Sequence, residues 1–237
     1  TGRRRLLASF KDIFEATNLK DRTDIYSGGA FYAAHVKWNP QATRLMLVLR
    51  WKARAIEEGK VWLLRPHVVT MNADGSDIHI CIDADEWLKR GHHPDWCPDG
   101  DHVMMNLAIH GRENGMRLVR ARYDGSDYGA MTEAVLGSGH PSMHPDGRHI
   151  VTDAYPGEPM TFDDRTIQLR LIDVAAGTEK DIVRINTVPD FNGPNGELRV
   201  DPHPAWDRTY TRITFNAFVG GTRRVFVADL TQELTST

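Results

Sequence analysis

The stretch GHHPDWCPDG at residues 91–100 places two histidines, a tryptophan and a Pro-Asp-Gly turn close together. Its central part, HPDWCP, has three relatives elsewhere in the chain. They are HVKWNP at residues 35–40, HPSMHP at 140–145 and HPAWDR at 203–208. Every copy begins with histidine, and the sixth residue is proline in all copies except the last. The stretch is therefore one copy of an internal repeat and not an isolated motif.

The residues that follow each copy also repeat. A turn leads into a short apolar segment, and a variable loop then leads into a second apolar segment that ends in a hairpin-turn pair such as Asp-Gly. Successive histidines are 58, 47 and 63 residues apart, which leaves room for four short antiparallel strands in each copy. Repeating units of this size are typical of β-propeller blades. A β-sandwich is the alternative, but sandwiches do not repeat one motif at the same strand position.

The repeat predicts an all-β fold, a β-propeller of four-stranded antiparallel blades. The blades are expected at about residues 35–90, 91–138, 139–200 and 201–237, after an N-terminal leader or partial blade at 1–34 with a short helix. The last copy ends soon after its third strand. Either residues 1–34 contribute strands, or the chain is the C-terminal part of a longer ring, and we favour the second interpretation.

Composition restricts the class of protein. The chain has 237 residues, a net charge of -3 and 41% hydrophobic residues, as a globular protein with a substantial core would have. This charge argues against non-specific nucleic-acid binding, and no apolar stretch approaches the roughly 18 residues of a membrane span, so neither partner is expected. Cys81 and Cys97 do not form a disulfide framework and are expected to be buried thiols.

The histidine that opens each copy is the first candidate for function. The first strand of a propeller blade lines the central channel, so His35, His93, His140 and His203 are expected to form an arc at one end of it. Converging neutral imidazoles suit a divalent transition metal. Asp201, two residues before His203, is expected on the same strand face by alternation, as a ligand or as an acceptor that fixes a histidine tautomer. The alternative is that each histidine is structural.

Other repeated positions favour structural roles. The fourth motif position is expected to fill the core between blades; its residues are Trp38, Trp96, Met143 and Trp206. A polar residue, Asn106, Asp153 or Asn216, interrupts the second strand of three copies, and we favour an interpretation in which it joins blade to blade. Four histidines outside the repeat position are expected to be surface or packing residues; they are His67, His92, His110 and His144.

The stretch FNGPNGELRVDPHP at residues 191–204 differs from the rest of the repeat. A Gly/Pro/Asn loop leads directly into the His203 strand, as the rim loop of an active site does. Arg199 lies on this entry, where its guanidinium would neutralise a substrate carboxylate. The alternative is an ordinary surface arginine.

HPDWCPDG, HPSMHPDGRHIVTDAY and DPHPAWDR resemble the oligogalacturonate lyase family, and the strand–PDG–strand cadence resembles TolB-like, WD40-like propeller repeats. The resemblance covers most of the chain from His35 to Leu230. It implies a seven-bladed ring and a bound divalent metal, manganese. It also implies a cytoplasmic enzyme, with a periplasmic location as the alternative, that cleaves short pectic uronides by β-elimination.

The resemblance also implies roles for particular residues. His203 matches the second histidine of the family's His-x-His metal motif, and Asp201 stands where the first would be. His140 matches the histidine of the preceding blade, so the implied metal ligands are His140, His203 and Asp201. The family's upstream glutamine has no counterpart, since Leu198 and Arg199 occupy that place.

The proton acceptor is expected to be His93, which matches a histidine proposed as the base in the family, or His35. Together with Arg199 these form the predicted catalytic set, acting on an oligosaccharide that contains uronic acid. Two other functions stay open. One is a non-catalytic TolB-like propeller that binds a protein or carbohydrate partner, and the other is a metal-dependent hydrolase at the same site.

Overall fold

The computed structural model describes residues 2, 4–54, 64–109, 115–164, 166–187, 193–194 and 196–235. Within these ranges the helices are short. They are α1 (Phe10–Ala16), a 3-10 turn (Asn18–Arg22), α2 (Ala84–Trp87) and α3 (Thr231–Thr235). None of the helices in the described ranges has the length and apolarity needed to cross a bilayer.

The short N-terminal helix predicted from the sequence is confirmed as α1. It begins at Phe10 because Ser9 caps it: the Ser9 hydroxyl accepts the Asp12 N–H at 3.2 Å, and the Asp12 carboxylate accepts the Ser9 N–H at 2.7 Å. This reciprocal pair satisfies two backbone donors that a helix start otherwise leaves without partners.

Four antiparallel sheets make up the rest of the described chain. The first sheet contains β1 (Gly29–Trp38), β2 (Arg44–Ala53), β3 (Leu64–Asn72) and β4 (His79–Ile82). The second contains β5 (Gly91–Trp96), β6 (His102–Leu107), β7 (Met116–Arg122) and β8 (Gly129–Ala130), and β9 (Leu136–Gly137) also pairs with β7. The third contains β10 (Ser142–Met143), β11 (His149–Thr152), β12 (Thr166–Asp173) and β13 (Thr178–Asn186). The fourth contains β14 (Ala205–Trp206), β15 (Arg212–Val219) and β16 (Thr222–Asp229).

Within each sheet the main strands follow one another in chain order. This sequential meander is the topology of propeller blades. The predicted all-β class and blade architecture are therefore confirmed, with three strands in the described part of the fourth blade. The seven-bladed ring stays a prediction.

The chain divides into two compact units. The first unit contains residues 1–111 and 119–129, and the second contains residues 112–118 and 130–237. The first sheet lies within the first unit, whereas the third and fourth sheets lie within the second.

Each unit has its own apolar core. In the first unit β2 is buried on both faces: Met46 and Val48 join one apolar cluster, while Leu47 and Leu49 join another that includes Ile13 of α1. In the second unit one cluster fills the space between the third and fourth sheets. Both arrangements follow from strand alternation, which directs successive side chains to opposite faces.

The two cysteines are buried and form no disulfide, as predicted for Cys81 and Cys97. Burial raises the pKa of each thiol to about 12. Because a neutral thiol is a weak nucleophile, both cysteines act as small core residues.

The tryptophans of the repeat show how sheets pack within a unit. Trp96 is 6% exposed and donates its ring N–H to the Lys37 carbonyl of the preceding sheet at 3.3 Å. Trp206 is half-buried and donates to the Ser142 carbonyl at 3.0 Å. The core prediction is confirmed for Trp96 and wrong for Trp38, which is 53% exposed. Trp38 belongs to the first sheet of its unit, so no earlier sheet of that unit covers it.

This difference gives a paired stability prediction. Trp96→Ala removes a buried ring and is expected to lower the free energy of unfolding by about 3–5 kcal/mol. Trp38→Ala removes the exposed ring at the same repeat position and is expected to cost under about 1 kcal/mol. Denaturant unfolding followed by far-ultraviolet circular dichroism measures both, and equal losses would contradict this account of sheet packing.

Candidate metal centre

Three of the predicted ligands come together in the second unit. One nitrogen or oxygen from each of His140, Asp201 and His203 can be chosen so that all three atoms lie within 4.8 Å of one another. No other three histidine, cysteine or carboxylate side chains are grouped this closely in the described ranges. The set therefore has the spacing and the chemistry to hold one metal ion.

The two histidines reach the site from neighbouring sheets. His140 lies just before β10 and His203 just before β14. Asp201 and His203 are close, but the alternation predicted for them is wrong, because residues 199–204 are not in a strand. The left-handed backbone of His203, with φ of 47°, also interrupts an extended path at that point.

Asp153 is hydrogen-bonded to both of the chain segments that carry His140 and His203. It directly follows β11 and is 1% exposed. One carboxylate oxygen accepts the backbone N–H of His140 at 2.6 Å, and the other accepts the backbone N–H of His203 at 3.2 Å. The same carboxylate lies 3.0 and 2.9 Å from Nδ1 of His140. A single buried side chain therefore fixes two chain segments and one imidazole ring.

The ionisation of Asp153 sets the tautomer of His140. Burial favours the protonated acid, but hydrogen bonds from His140 and His203 hold the pKa of the Asp153 carboxyl below its usual range. An ionised carboxylate only accepts, so Nδ1 of His140 carries a proton, and in the neutral ring Nε2 then presents its lone pair. This carboxylate–histidine arrangement is the one that orients metal-binding imidazoles.

Tyr155 lies at the side of the His140 ring opposite Asp153, next to Nε2. Its hydroxyl lies 3.2 Å from Nε2 of His140. Burial, followed by the negative charges of Asp201 and Asp153, raises the pKa of Tyr155 to about 12. The phenol therefore keeps its proton near neutral pH, and its O–H donates a hydrogen bond to Nε2 of His140. A metal ion bound at Nε2 would replace this hydrogen bond.

Gly139 and Ser138 bring the chain close to Asp153. Gly139 has φ of +67°, and a Cβ there would lie 2.2 Å from the Asp153 carbonyl oxygen. Ser138 is fully buried, its carbonyl accepts the Thr152 hydroxyl at 2.8 Å, and its own hydroxyl accepts the Tyr155 N–H at 3.2 Å. Only glycine fits both the left-handed backbone and the close approach at residue 139.

Arg199 and Asp201 form a bidentate ion pair at the same site. Nε and Nη2 of Arg199 donate to the two Asp201 oxygens at 2.8 and 3.1 Å. This hydrogen bonding raises the pKa of Arg199. The side chain of Asn216 donates to the Asp201 carbonyl at 3.3 Å, and the Arg199 guanidinium lies 5.6 Å from the centre of the Tyr155 ring. Arg199 is therefore part of the cluster and not an isolated surface charge.

Two imidazoles and one carboxylate fit a divalent transition metal and leave coordination positions for other ligands. The rings of His140 and His203 are stacked, with centroids 3.4 Å apart and planes at 29°. Because imidazole lone pairs lie in the ring plane, the exposed His203 ring must turn for both to bind one ion. Asp201 has enough lone pairs to bind an ion while keeping a hydrogen bond to Arg199.

His35 and His93 lie in the first unit, where β1 and β5 carry β-bulges. Both have left-handed backbones, with φ of 54° and 57°. Burial, followed by the charges of Arg50 and Lys37, lowers the pKa of His35, so this ring is neutral near pH 7. A common arc of all four repeat histidines, with His35 or His93 as a base, stays a prediction.

Two histidines outside the repeat position, His67 and His144, have packing roles. His67 is fully buried and bonds the Tyr26 hydroxyl at 2.9 Å, and burial lowers its pKa to about 4. His144 packs against Trp206 with ring centroids 5.1 Å apart. The packing interpretation is confirmed for both, and His110 lies outside the described residues.

Sequence reasoning missed Asp153, Tyr155 and Gly139 as members of the site. A signal existed for Asp153, because Asn106 and Asn216 share its position in the repeat and also bond a residue in, or just ahead of, the first strand of their own sheet. Asn106 lies 3.3 Å from Nδ1 of His92, and Asn216 donates to the Asp201 carbonyl. The favoured structural role is correct for Asp153, but the same carboxylate also orients His140.

No family model matches the sequence, and no curated protein is similar to it. Among solved structures, an oligogalacturonate lyase in complex with manganese is 18% identical, with a TM-score of 0.63 over 86% of this chain and 50% of that one. TolB from Acinetobacter baumannii is 11% identical, with a TM-score of 0.49 over 96% of this chain and 61% of that one. The chain thus spans about half the length of the lyase. The likeness to the lyase shows the fold alone, that of a β-propeller.

The close approach at Gly139 is testable with a matched glycine. Gly139→Ala is expected to displace Asp153 and to abolish measurable Mn²⁺ binding. Gly147→Ala is the control, since Gly147 has φ of +69° but no atom lies within 4 Å of the place where a Cβ would stand. The control is expected to cost about 1 kcal/mol of stability through its backbone alone and to keep metal binding. Equal behaviour of the two variants in unfolding and calorimetry would refute the role of the close approach.

A second test addresses the Asp153 charge. Asp153→Asn keeps the shape of the side chain but removes the acceptor that fixes the His140 tautomer, and Mn²⁺ affinity is expected to fall about 10- to 100-fold. Asp146→Asn alters a carboxylate that pairs with His149 in the same sheet, outside the cluster, and is expected to leave affinity unchanged. Isothermal titration calorimetry measures both, and wild-type affinity in Asp153→Asn would show that the carboxylate is only structural.

Proposed function

We propose that this chain belongs to a metal-dependent lyase that cleaves uronic-acid-containing oligosaccharides by β-elimination. The observation that carries the proposal is the ion-paired Arg199 beside the His140, Asp201 and His203 cluster. This arrangement puts a cation for a substrate carboxylate next to a metal-binding set. The fold likeness to an oligogalacturonate lyase in complex with manganese supports the choice of metal and substrate class.

The reaction requires that a negative charge be offset. A base removes the proton on the carbon next to the uronate carboxylate, the electron pair forms a carbon–carbon double bond, and the bond to the 4-linked sugar oxygen breaks. That oxygen takes up a proton as it leaves. Because the adjacent carboxylate is already negative, the proton is weakly acidic until nearby cations stabilise the developing charge.

The residues of the second unit supply this environment in the proposal. His140, Asp201 and His203 would hold the divalent ion, which when bound would withdraw charge from the substrate carboxylate. Arg199 remains charged at all working pH values and can bind a carboxylate through two N–H groups. Its pairing with Asp201 already fixes its position. Asp153 keeps the His140 ring in the orientation and tautomer that metal binding needs.

The proton acceptor in the proposal is His93 or His35. The family resemblance supports His93, and the lowered pKa of His35 keeps that ring in its basic form near neutral pH. A test of either residue is the pH profile of the variant enzyme. If the residue is the base, the rate rises with increasing pH as that residue loses its proton, and the variant lacks this rise.

The direct experiment incubates the full-length protein with a panel of oligouronides and follows the unsaturated product by its ultraviolet absorbance. We expect product with Mn²⁺, its loss after chelation and its return on adding Mn²⁺. His140→Ala is expected to lower the rate by at least about 100-fold, while Asp146→Asn keeps it. Absence of product from every uronide would overturn the lyase. Oligouronide binding without turnover would support a carbohydrate-binding propeller instead.

A further inference from the structure

His67 lies on β3, and its side chain is fully buried in the first unit. Nδ1 of the ring accepts the backbone N–H of Ala84 at 3.1 Å, and Nε2 lies 2.9 Å from the Tyr26 hydroxyl. A neutral imidazole carries one proton, so Nδ1 presents its lone pair to Ala84 and Nε2 donates to Tyr26. These two contacts therefore require a neutral ring with its proton on Nε2.

Asp83 offers a second partner for Nδ1 of His67. It is the N-cap of α2, where Oδ1 accepts the Asp85 N–H at 2.8 Å. The other oxygen, Oδ2, is buried 3.6 Å from Nδ1 and has no hydrogen-bond partner among the described residues. While His67 is neutral, Nδ1 has no proton to donate to this oxygen. Because a buried acceptor without a donor is unfavourable, a proton on Nδ1 would supply the missing hydrogen bond.

The charges around His67 leave Asp83 as its partner. The ionisable groups that face the ring come from the elements packed around it; they are Tyr26, Arg65, Asp83, Asp85 and Arg22. Asp85 is already bonded to both arginines, so its carboxylate is engaged. Burial lowers the pKa of His67 to about 4, although the charge of Asp83 acts in the opposite direction. The ring is therefore neutral near pH 7 and takes up a proton in acid.

α2 forms one wall of a cavity of about 460 Å³ in the first unit. Two of its carboxylates line this cavity and are bonded to residues on other walls. Asp85 pairs with Arg22 of the 3-10 turn at 2.8 Å, and Glu86 accepts the Tyr128 hydroxyl at 3.1 Å. A movement at the start of α2 would change the spacing of these pairs and so the shape of the cavity.

We propose that His67 and Asp83 form a pH-sensitive switch at the start of α2. On acidification Nδ1 takes up a proton, releases the Ala84 N–H and donates to Oδ2 of Asp83. The first turn of α2 must then move, because Nδ1 and Oδ2 have to close to hydrogen-bonding distance and the Ala84 N–H needs a new partner. The cavity beside α2 thus has one shape near neutral pH and another in acid. The switch uses no residue of the candidate metal centre.

Nuclear magnetic resonance of the full-length protein tests the switch between pH 7 and about pH 3.5. Imidazole nitrogen-15 shifts report the protonation of His67, and the amides of Ala84, Asp85 and Glu86 report α2. At pH 7 we expect the proton on Nε2 alone. On acidification His67 is expected to titrate with a midpoint well below the ordinary value of about 6.5, and the α2 amides are expected to shift with the same midpoint. The hydrogen-exchange protection factor of the Ala84 amide is expected to fall at least about 10-fold.

Two variants separate the switch from a simple titration. Asp83→Asn keeps a good N-cap but lacks the negative charge, so it is expected to weaken proton binding at His67 about 10-fold. His67→Asn puts an acceptor oxygen near the position of Nδ1 and cannot take up a proton, so α2 is expected to stay in its neutral-pH state throughout. The control, Asp77→Asn, removes the carboxylate beside His79 and is expected to leave the His67 midpoint and the α2 response unchanged.

A His67 midpoint near 6.5, or no protonation down to about pH 3.5, would overturn the switch. The same holds if the α2 amides do not follow the His67 titration, or if Asp83→Asn and wild type have equal midpoints. Loss of all native amide resonances of the unit in one step would also overturn it, since protonation would then unfold the unit and not move α2.

Discussion

The carboxylate of Asp153 is buried at the end of β11 and accepts the backbone N–H groups of both His140 and His203. Taking an ionised group out of water costs several kcal/mol unless hydrogen bonds replace its hydration. Here the two backbone amides and the His140 ring provide that replacement. The candidate metal centre depends on this interaction, because the same carboxylate positions two ligands and determines which ring nitrogen of His140 can bind an ion.

The site combines a fixed half with an exposed half. His140 is buried, and Asp153 and Tyr155 contact its two nitrogens. His203 and Arg199 are exposed and lie on an irregular segment. Asp153 accepts the backbone N–H of His203, and Asn216 donates to the backbone carbonyl of Asp201. A centre of this kind offers one preorganised ligand, and its other ligands can adjust around an ion and a substrate.

The repeat allowed much of the fold to be predicted, since a histidine-led motif recurring with turns and apolar segments identifies each blade. It could not predict how the sheets are distributed between the two units. The core role predicted for Trp38 is therefore wrong: its sheet is the first of its unit, and the ring is exposed. At the site, equal position in the repeat led to His140 and His203, but alternation was the wrong reason for placing Asp201 beside them. Neither the left-handed backbone of His203 nor the bonding of Tyr155 to His140 has a periodic signal, because Ala108 and Phe218 occupy the position of Tyr155 in other copies.

The most direct test of the central claim is a crystal structure of the protein soaked in Mn²⁺, with anomalous difference density used to locate the ion. The account predicts a peak within bonding distance of Nε2 of His140, the His203 ring and the Asp201 carboxylate, with Asp153 still bonded to Nδ1 of His140. A peak located elsewhere, or none at this cluster at saturating Mn²⁺, would contradict it.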